Sequence, residues 1–123
     1  VKRIQELVKK GFYDGIIFHR VIAGFMAQTG DPDGNGTGGS GKNLKAEFSD
    51  YKYKYGTVGM ARSRSPDSGD SQVFICFDGC SHLTGQYTVW GQVVSGMEVV
   101  ENLSVGEPPS NPDKMISVRI GKK

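Results

Sequence analysis

The chain has 123 residues, 37% of them hydrophobic and 23% charged, with a formal net charge of +2. That suffices for one soluble globular domain, read here as residues 1–123, and is too little for two. Lysines and arginines are dispersed, which excludes a concentrated nucleic-acid footprint or a basic membrane-binding helix, and no apolar run nears the roughly 20 residues of a bilayer span. Eighteen glycines point to the tight turns of a short-stranded β fold rather than to a helical bundle.

The opening residues, Val1-Lys2-Arg3-Ile4, lack the apolar stretch of a signal peptide. Ile4, Leu7 and Val8 recur at helical spacing among charged residues, and Gly11 supplies a stop, so the chain begins in a short amphipathic helix. Residues 16–22 and 25–29 are apolar and β-favouring on either side of Ala23-Gly24, which predicts a hairpin. Glycines interleaved with Asp, Asn, Thr and Ser over residues 30–41 predict a long shaped loop. Residues 57–61, 72–77, 87–94 and 115–120 are rich in Val, Ile, Phe, Tyr and Trp and predict four further strands. After Gly96, the spacing of Met97, Val99, Val100 and Leu103 predicts a second short helix. Six strands without β/α alternation predict a mainly β protein, a closed or nearly closed antiparallel barrel with short capping helices. Cys76 and Cys80 are too few for a disulfide framework and are read as free thiols, which favours a reducing, cytoplasmic setting.

The run Phe18-His19-Arg20-Val21-Ile22-Ala23-Gly24-Phe25-Met26-Ala27-Gln28-Thr29-Gly30-Asp31 resembles the signature of the cyclophilin-type peptidyl-prolyl cis/trans isomerases. The resemblance continues in family order through Asn35-Gly36-Thr37-Gly38-Gly39, Gly59-Met60-Ala61, Ser71-Gln72-Val73-Phe74-Ile75-Cys76 and Val89-Trp90-Gly91-Gln92-Val93. It implies a cyclophilin-like antiparallel barrel, bacterial-like in pattern and N-terminally incomplete, because the family places a pair of strands before the first helix.

Rotation about an X-Pro bond sacrifices amide resonance against a barrier of about 20 kcal/mol. No bond is made or broken, so neither a nucleophile nor a metal nor another cofactor is required; the catalyst must bind the twisted amide better than the planar one. A guanidinium, protonated at every working pH, can donate to the amide nitrogen as its lone pair returns. Arg20 is the candidate for that catalytic role. The resemblance further implies that Phe25, Met26, Phe74 and Leu83 line a proline pocket, and that Gln28 and Gln72 bond the substrate backbone. It also places an extended-peptide contact at Arg62 and a ring at Tyr87, where a histidine is frequent in the family. His82 stands where an aromatic residue often precedes Leu83, so cyclosporin binding is expected to be weak with isomerase activity retained. Proline-containing peptides and unfolded proteins are the expected partners, with no nucleic acid and no membrane. A proline-binding module with little turnover is the alternative.

Other readings compete at several positions. Phe25 and Met26 face opposite ways in an ideal strand, so lining one pocket requires a bulge or a strand end between them. His19 reads as structural. Gly34-x-Gly36-x-x-Gly39 and the run from Gly36 to Lys42 imitate nucleotide-binding loops, but Asn43 stands where a phosphate loop needs Ser or Thr, and no long helix follows. Cys76, Cys80 and His82 do not have a recognised zinc spacing.

Overall fold

The computed structural model describes residues 2–121. Helix α1, Lys2–Lys9, buries Ile4, Leu7 and Val8 on one stripe and ends before Gly11, whose φ of 72° is open to glycine without penalty. Strands β1 (Arg20–Ile22) and β2 (Met26–Thr29) form the expected hairpin around Ala23-Gly24. Next come β3 (Thr57–Met60), β4 (Val73–Cys76), a single 3-10 turn at Ser81–Leu83, β5 (Val89–Gln92) and helix α2 (Met97–Glu101). The strands join in the order β1-β2-β4-β3-β5, every neighbour antiparallel. The protein is therefore mainly β, as expected, with five strands in one antiparallel sheet whose order runs from β1 to β5, and with β1 bridged on its outer side through Val21 and Gly106.

The sixth expected strand, residues 115–120, does not form. Among the described residues its backbone is engaged at its start, where Gly15 N–H donates to Met115 O and Met115 N–H to Ile16 O, and at Val118, whose N–H donates to Asp14 Oδ1. A β-favouring sequence becomes a strand only where a neighbour offers a ladder. Ile116 is left 86% exposed. The free-thiol expectation also fails. The turn after β4 is pinned to the hairpin by Phe77 N–H to Phe25 O and Gly79 N–H to Gly24 O, which brings Cys80 back to Cys76 at a Cα separation of 6.0 Å, and the two are joined as a disulfide. The cysteines therefore lend no support to a reducing compartment.

The two faces of the sheet have different fates. Alternation sends Val21, Ala27, Val73 and Met60 to one face, where α1 packs on Val73 and Met60 with Tyr13 and Ile16, while Met97, Val100 and Leu103 pack on Val21, Ala27 and Phe77. Burial of each larger side chain contributes roughly 2 kcal/mol. Trp90, set in a register irregularity between β3 and β5, leans on the α1 cluster. The opposite face carries Met26, Phe74 and Cys76, against which Tyr53, Cys80 and Leu83 pack.

The glycine loop is a shaped loop as predicted, and Asp31 shapes it. This carboxylate is 1% exposed and accepts the N–H groups of Asp33 (2.8 Å), Asn35 (3.0 Å) and Gly36 (2.5 Å). A Cβ on Gly38 would sit 2.1 Å from Asp31 Oδ1, so the loop closes only with glycine there. Burial pushes the Asp31 pKa up, but the N–H donors of Asp33, Gly36, Gly38 and Asn35 outweigh it and hold it below the ordinary range. A depressed carboxylate stabilises the fold above its unfolded pKa of about 3.9, and that contribution is lost as pH falls through the folded value. Urea unfolding followed by circular dichroism is expected to show Asp31→Asn destabilised by about 2 kcal/mol at neutral pH, with a shallower loss of stability below about pH 4 than wild type.

Candidate active site

Strand register assembles the site. Arg20 lies opposite Gln28, Gln28 opposite Phe74, Phe74 opposite Gly59 and Gly59 opposite Val89, a single row across all five strands. Met26, two residues before Gln28, shares its face and lies opposite Cys76. Phe25 is not in the strand: it closes the hairpin turn, its N–H donating to Ile22 O at 3.0 Å. The strand end thus removes the alternation conflict, and Phe25 and Met26 line one cavity. That cavity, of about 130 Å³, is lined by Arg20, Phe25, Met26, Gln28, Ala61, Arg62, Phe74, Leu83 and Tyr87. Every site residue expected from sequence is among them except Gln72, which lines an adjoining cavity of about 270 Å³ shared with Gln28 and Arg62.

The apolar walls are buttressed from behind. Tyr53 stacks on Phe74 with centroids 5.7 Å apart, and Tyr87 meets Phe74 edge-on at 5.8 Å. The Tyr53 hydroxyl donates to Tyr87 O (3.0 Å) and Thr88 O (3.2 Å), tying the strand-entry segment to the pocket floor, and burial pushes its pKa up. Gly59 is required beneath: a Cβ there would lie 2.6 Å from Phe74 Cζ and 2.3 Å from the Tyr53 hydroxyl. Leu83 enters from the 3-10 turn, and the His82 ring stacks on Phe25 at 5.7 Å.

A continuous polar line runs along the rim. Gln72 Nε2 donates to Gly36 O (3.1 Å) and Gly38 O (2.9 Å), Gln28 Nε2 donates to Gln72 Oε1 (2.9 Å), and Arg20 Nη1 reaches Gln28 Oε1 at 3.5 Å. Arg20 Nε donates to Glu107 Oε1 at 2.5 Å. Arg20 Nη2 has no hydrogen-bond partner among the described residues. The Arg62 guanidinium lies 4.5 Å over the Tyr87 ring and donates to Gln86 O through Nε and Nη2, closing the other side of the mouth. His19, next to Arg20, is 5% exposed, and burial pushes its pKa down despite Asp31. That environment suits the structural role expected of it.

Two members of this surroundings escaped sequence reading. Ala61 has no chemistry to single it out, and Glu107 lies 87 residues from Arg20, so no spacing links them. The apparent nucleotide motifs acquire no context, since residues 43–50 contain no helix. Among the described residues no group of three His, Cys, Asp or Glu is placed to hold a metal.

One face of the antiparallel sheet thus carries a small cavity walled by Phe25, Met26, Phe74 and Leu83 and lined also by the side chains of Arg20, Gln28 and Arg62. The sequence matches the family described as cyclophilin type peptidyl-prolyl cis-trans isomerase over residues 1–121, and the chain belongs to that family. A protein of Brucella abortus named "Probable peptidyl-prolyl cis-trans isomerase" is 50% identical, across 98% of this chain and 70% of that one. Peptidyl-prolyl cis-trans isomerase B of Bacillus subtilis is 43% identical, across 87% of this chain and 76% of that one. Among solved structures, a cyclophilin-type peptidyl-prolyl cis-trans isomerase of Cryptosporidium parvum, crystallised in the presence of the dipeptide Ala-Pro, is 30% identical. It superposes with a TM-score of 0.90, covering 99% of this chain and 84% of that one. The protein is thus a peptidyl-prolyl cis-trans isomerase.

Gln72 joins the glycine loop to the row that carries Arg20. Removing its amide is expected to lower kcat/KM for an Ala-Pro peptide about tenfold, because one net hydrogen bond is worth about 1 kcal/mol and a loosened rim adds to it. Steady-state assays of Gln72→Ala alongside its melting temperature check this: the temperature is expected to fall by only a few degrees.

Proposed function

We propose that Arg20 is the catalytic donor, acting on a proline ring seated among Phe25, Met26, Phe74 and Leu83. The observation that carries this reading is the position of the Arg20 guanidinium at the mouth of the cavity, anchored through Nε and Nη1, with Nη2 unpartnered among the described residues. Aromatic and thioether walls suit a saturated ring. With the ring held, rotation falls on the carbonyl side of the X-Pro bond. As the amide twists, its nitrogen pyramidalises and gains basicity, and Nη2 donates to it. The planar amide offers no such lone pair, so this hydrogen bond is made only on the way over the barrier.

The peptide on either side of proline is held through its backbone. Gln28 and Gln72 present amides along the rim, and the backbone N–H and C=O of Arg62 have no hydrogen-bond partner among the described residues, leaving an edge that an extended chain can pair with. Contacts of this kind read backbone and ring rather than flanking side chains, which supports a broad range of proline-containing and unfolded chains as substrates.

Replacing the donor tests the mechanism. Arg20→Ala is expected to lower kcat/KM by about 100-fold or more while peptide affinity changes little, measured by a protease-coupled assay and by NMR exchange. If Arg20→Ala turns over as fast as wild type, Arg20 is not the donor; if neither protein turns over while both bind peptide, the chain is a proline-binding module.

His82 bears on cyclosporin. The imidazole covers part of Phe25 but presents less apolar surface than an indole, which supports weak binding of a large apolar macrocycle. Calorimetry is expected to show His82→Trp binding cyclosporin at least about tenfold more tightly than wild type, an aromatic contact being worth about 0.5–1.5 kcal/mol beyond its area, with isomerase activity preserved in both.

A further inference from the structure

Strand β1 has a second neighbour along its outer edge. Val21 N–H donates to Gly106 O at 2.9 Å and Gly106 N–H to Val21 O at 3.0 Å, an isolated antiparallel bridge. Where two antiparallel residues exchange both bonds, the residues flanking them form the closer pair, with side chains on one face. Here that flanking pair is Arg20 and Glu107. Their side chains meet, Nε to Oε1, at 2.5 Å. The mount behind Glu107 is tight. Gly106 has a φ of 150°, and a Cβ on it would lie 2.6 Å from Pro109 Cα and 3.0 Å from Pro108 O, so the segment turns back on itself only with glycine there.

Resting on the reading of Arg20 as donor, we propose that Glu107 is a positioning residue for isomerisation, fixing the guanidinium so that Nη2 faces the amide nitrogen of the substrate. An arginine side chain has several freely turning bonds, and aiming one N–H at a transient lone pair requires them to be frozen beforehand. Gln28 alone holds it loosely, at 3.5 Å and as a neutral acceptor. Glu107 supplies a short charge-assisted bond at Nε, while Nη2 keeps no hydrogen-bond partner among the described residues. The two side chains remain 42% and 56% exposed, so the pair adds little to folding stability. Its effect falls on where the guanidinium points.

The test compares wild type, Glu107→Ala, Glu107→Gln, Arg20→Ala and the Arg20→Ala/Glu107→Ala double variant. Each is assayed for kcat and KM on an Ala-Pro peptide, for peptide affinity and for melting temperature. Glu107→Ala is expected to lower kcat about tenfold, the scale of a modest misplacement of a catalytic group, with KM and melting temperature held. Glu107→Gln is expected to recover most of that loss, because its amide oxygen still accepts from Nε. In the Arg20→Ala background, removal of Glu107 is expected to change nothing further. Wild-type turnover by Glu107→Ala beside a crippled Arg20→Ala overturns the role of Glu107 alone, whereas full activity in Arg20→Ala overturns the donor reading beneath it. An equal loss from Glu107→Ala in both backgrounds also overturns the proposal, since the carboxylate then acts without Arg20. Should the truncation not fold, Glu107→Asp retracts the carboxylate by one methylene; it is expected to lower kcat likewise, and wild-type turnover there overturns the proposal.

Discussion

The register between β2 and β4 is the constraint on which the site rests. Placing Gln28 opposite Phe74 puts the polar rim and the pocket floor on the same face, with Arg20 on one side and Gly59 on the other. A slip of one residue would exchange that face for the one carrying Ala27 and Ile75, and the pocket residues would turn under the helices. Burial guards against the slip. Ala27 is 0% exposed beneath Phe77, and α1 and α2 both close on the face opposite the pocket, so the apolar cost of a wrong register is paid over the whole sheet.

A second order is imposed by hydrogen bonds at right angles to that packing. Asp31 gathers the N–H groups of the glycine loop, the loop offers the carbonyls of Gly36 and Gly38 to Gln72, and Gln72 receives Gln28, which receives Arg20. Each link is worth little by itself, but the donors and acceptors are matched along the line, so no amide is free to flip without unpairing a neighbour. The catalytic demand explains the investment. A reaction without covalent chemistry has only orientation and a few hydrogen bonds with which to lower its barrier, and a mobile rim would spend that advantage on ordering itself.

Much of this was legible in the residues. The hairpin and the glycine loop follow from local patterns, and the ordered signature from Phe18 to Asp31 carries the family resemblance, which alone implied an apolar wall beside Arg20. What was not legible depends on partners distant in sequence. Residues 115–120 have the composition of a strand but no ladder to join, and composition cannot report a missing neighbour. The disulfide arises because the turn after β4 is tied to the hairpin turn, a tertiary contact invisible in a spacing of four. Phe25 and Met26 conflicted on paper only because the strand was drawn one residue too long. Glu107 was unreadable for the simplest reason: the bridge that sets it beside Arg20 joins segments at opposite ends of the chain.

Trp90 has an optical consequence. It is the sole tryptophan, and it leans on the cluster formed by α1, Met60 and Val73 rather than lining the ring cavity. Its emission therefore reports the seating of the first helix against the sheet. An intrinsic fluorescence signal in this protein is a gauge of assembly.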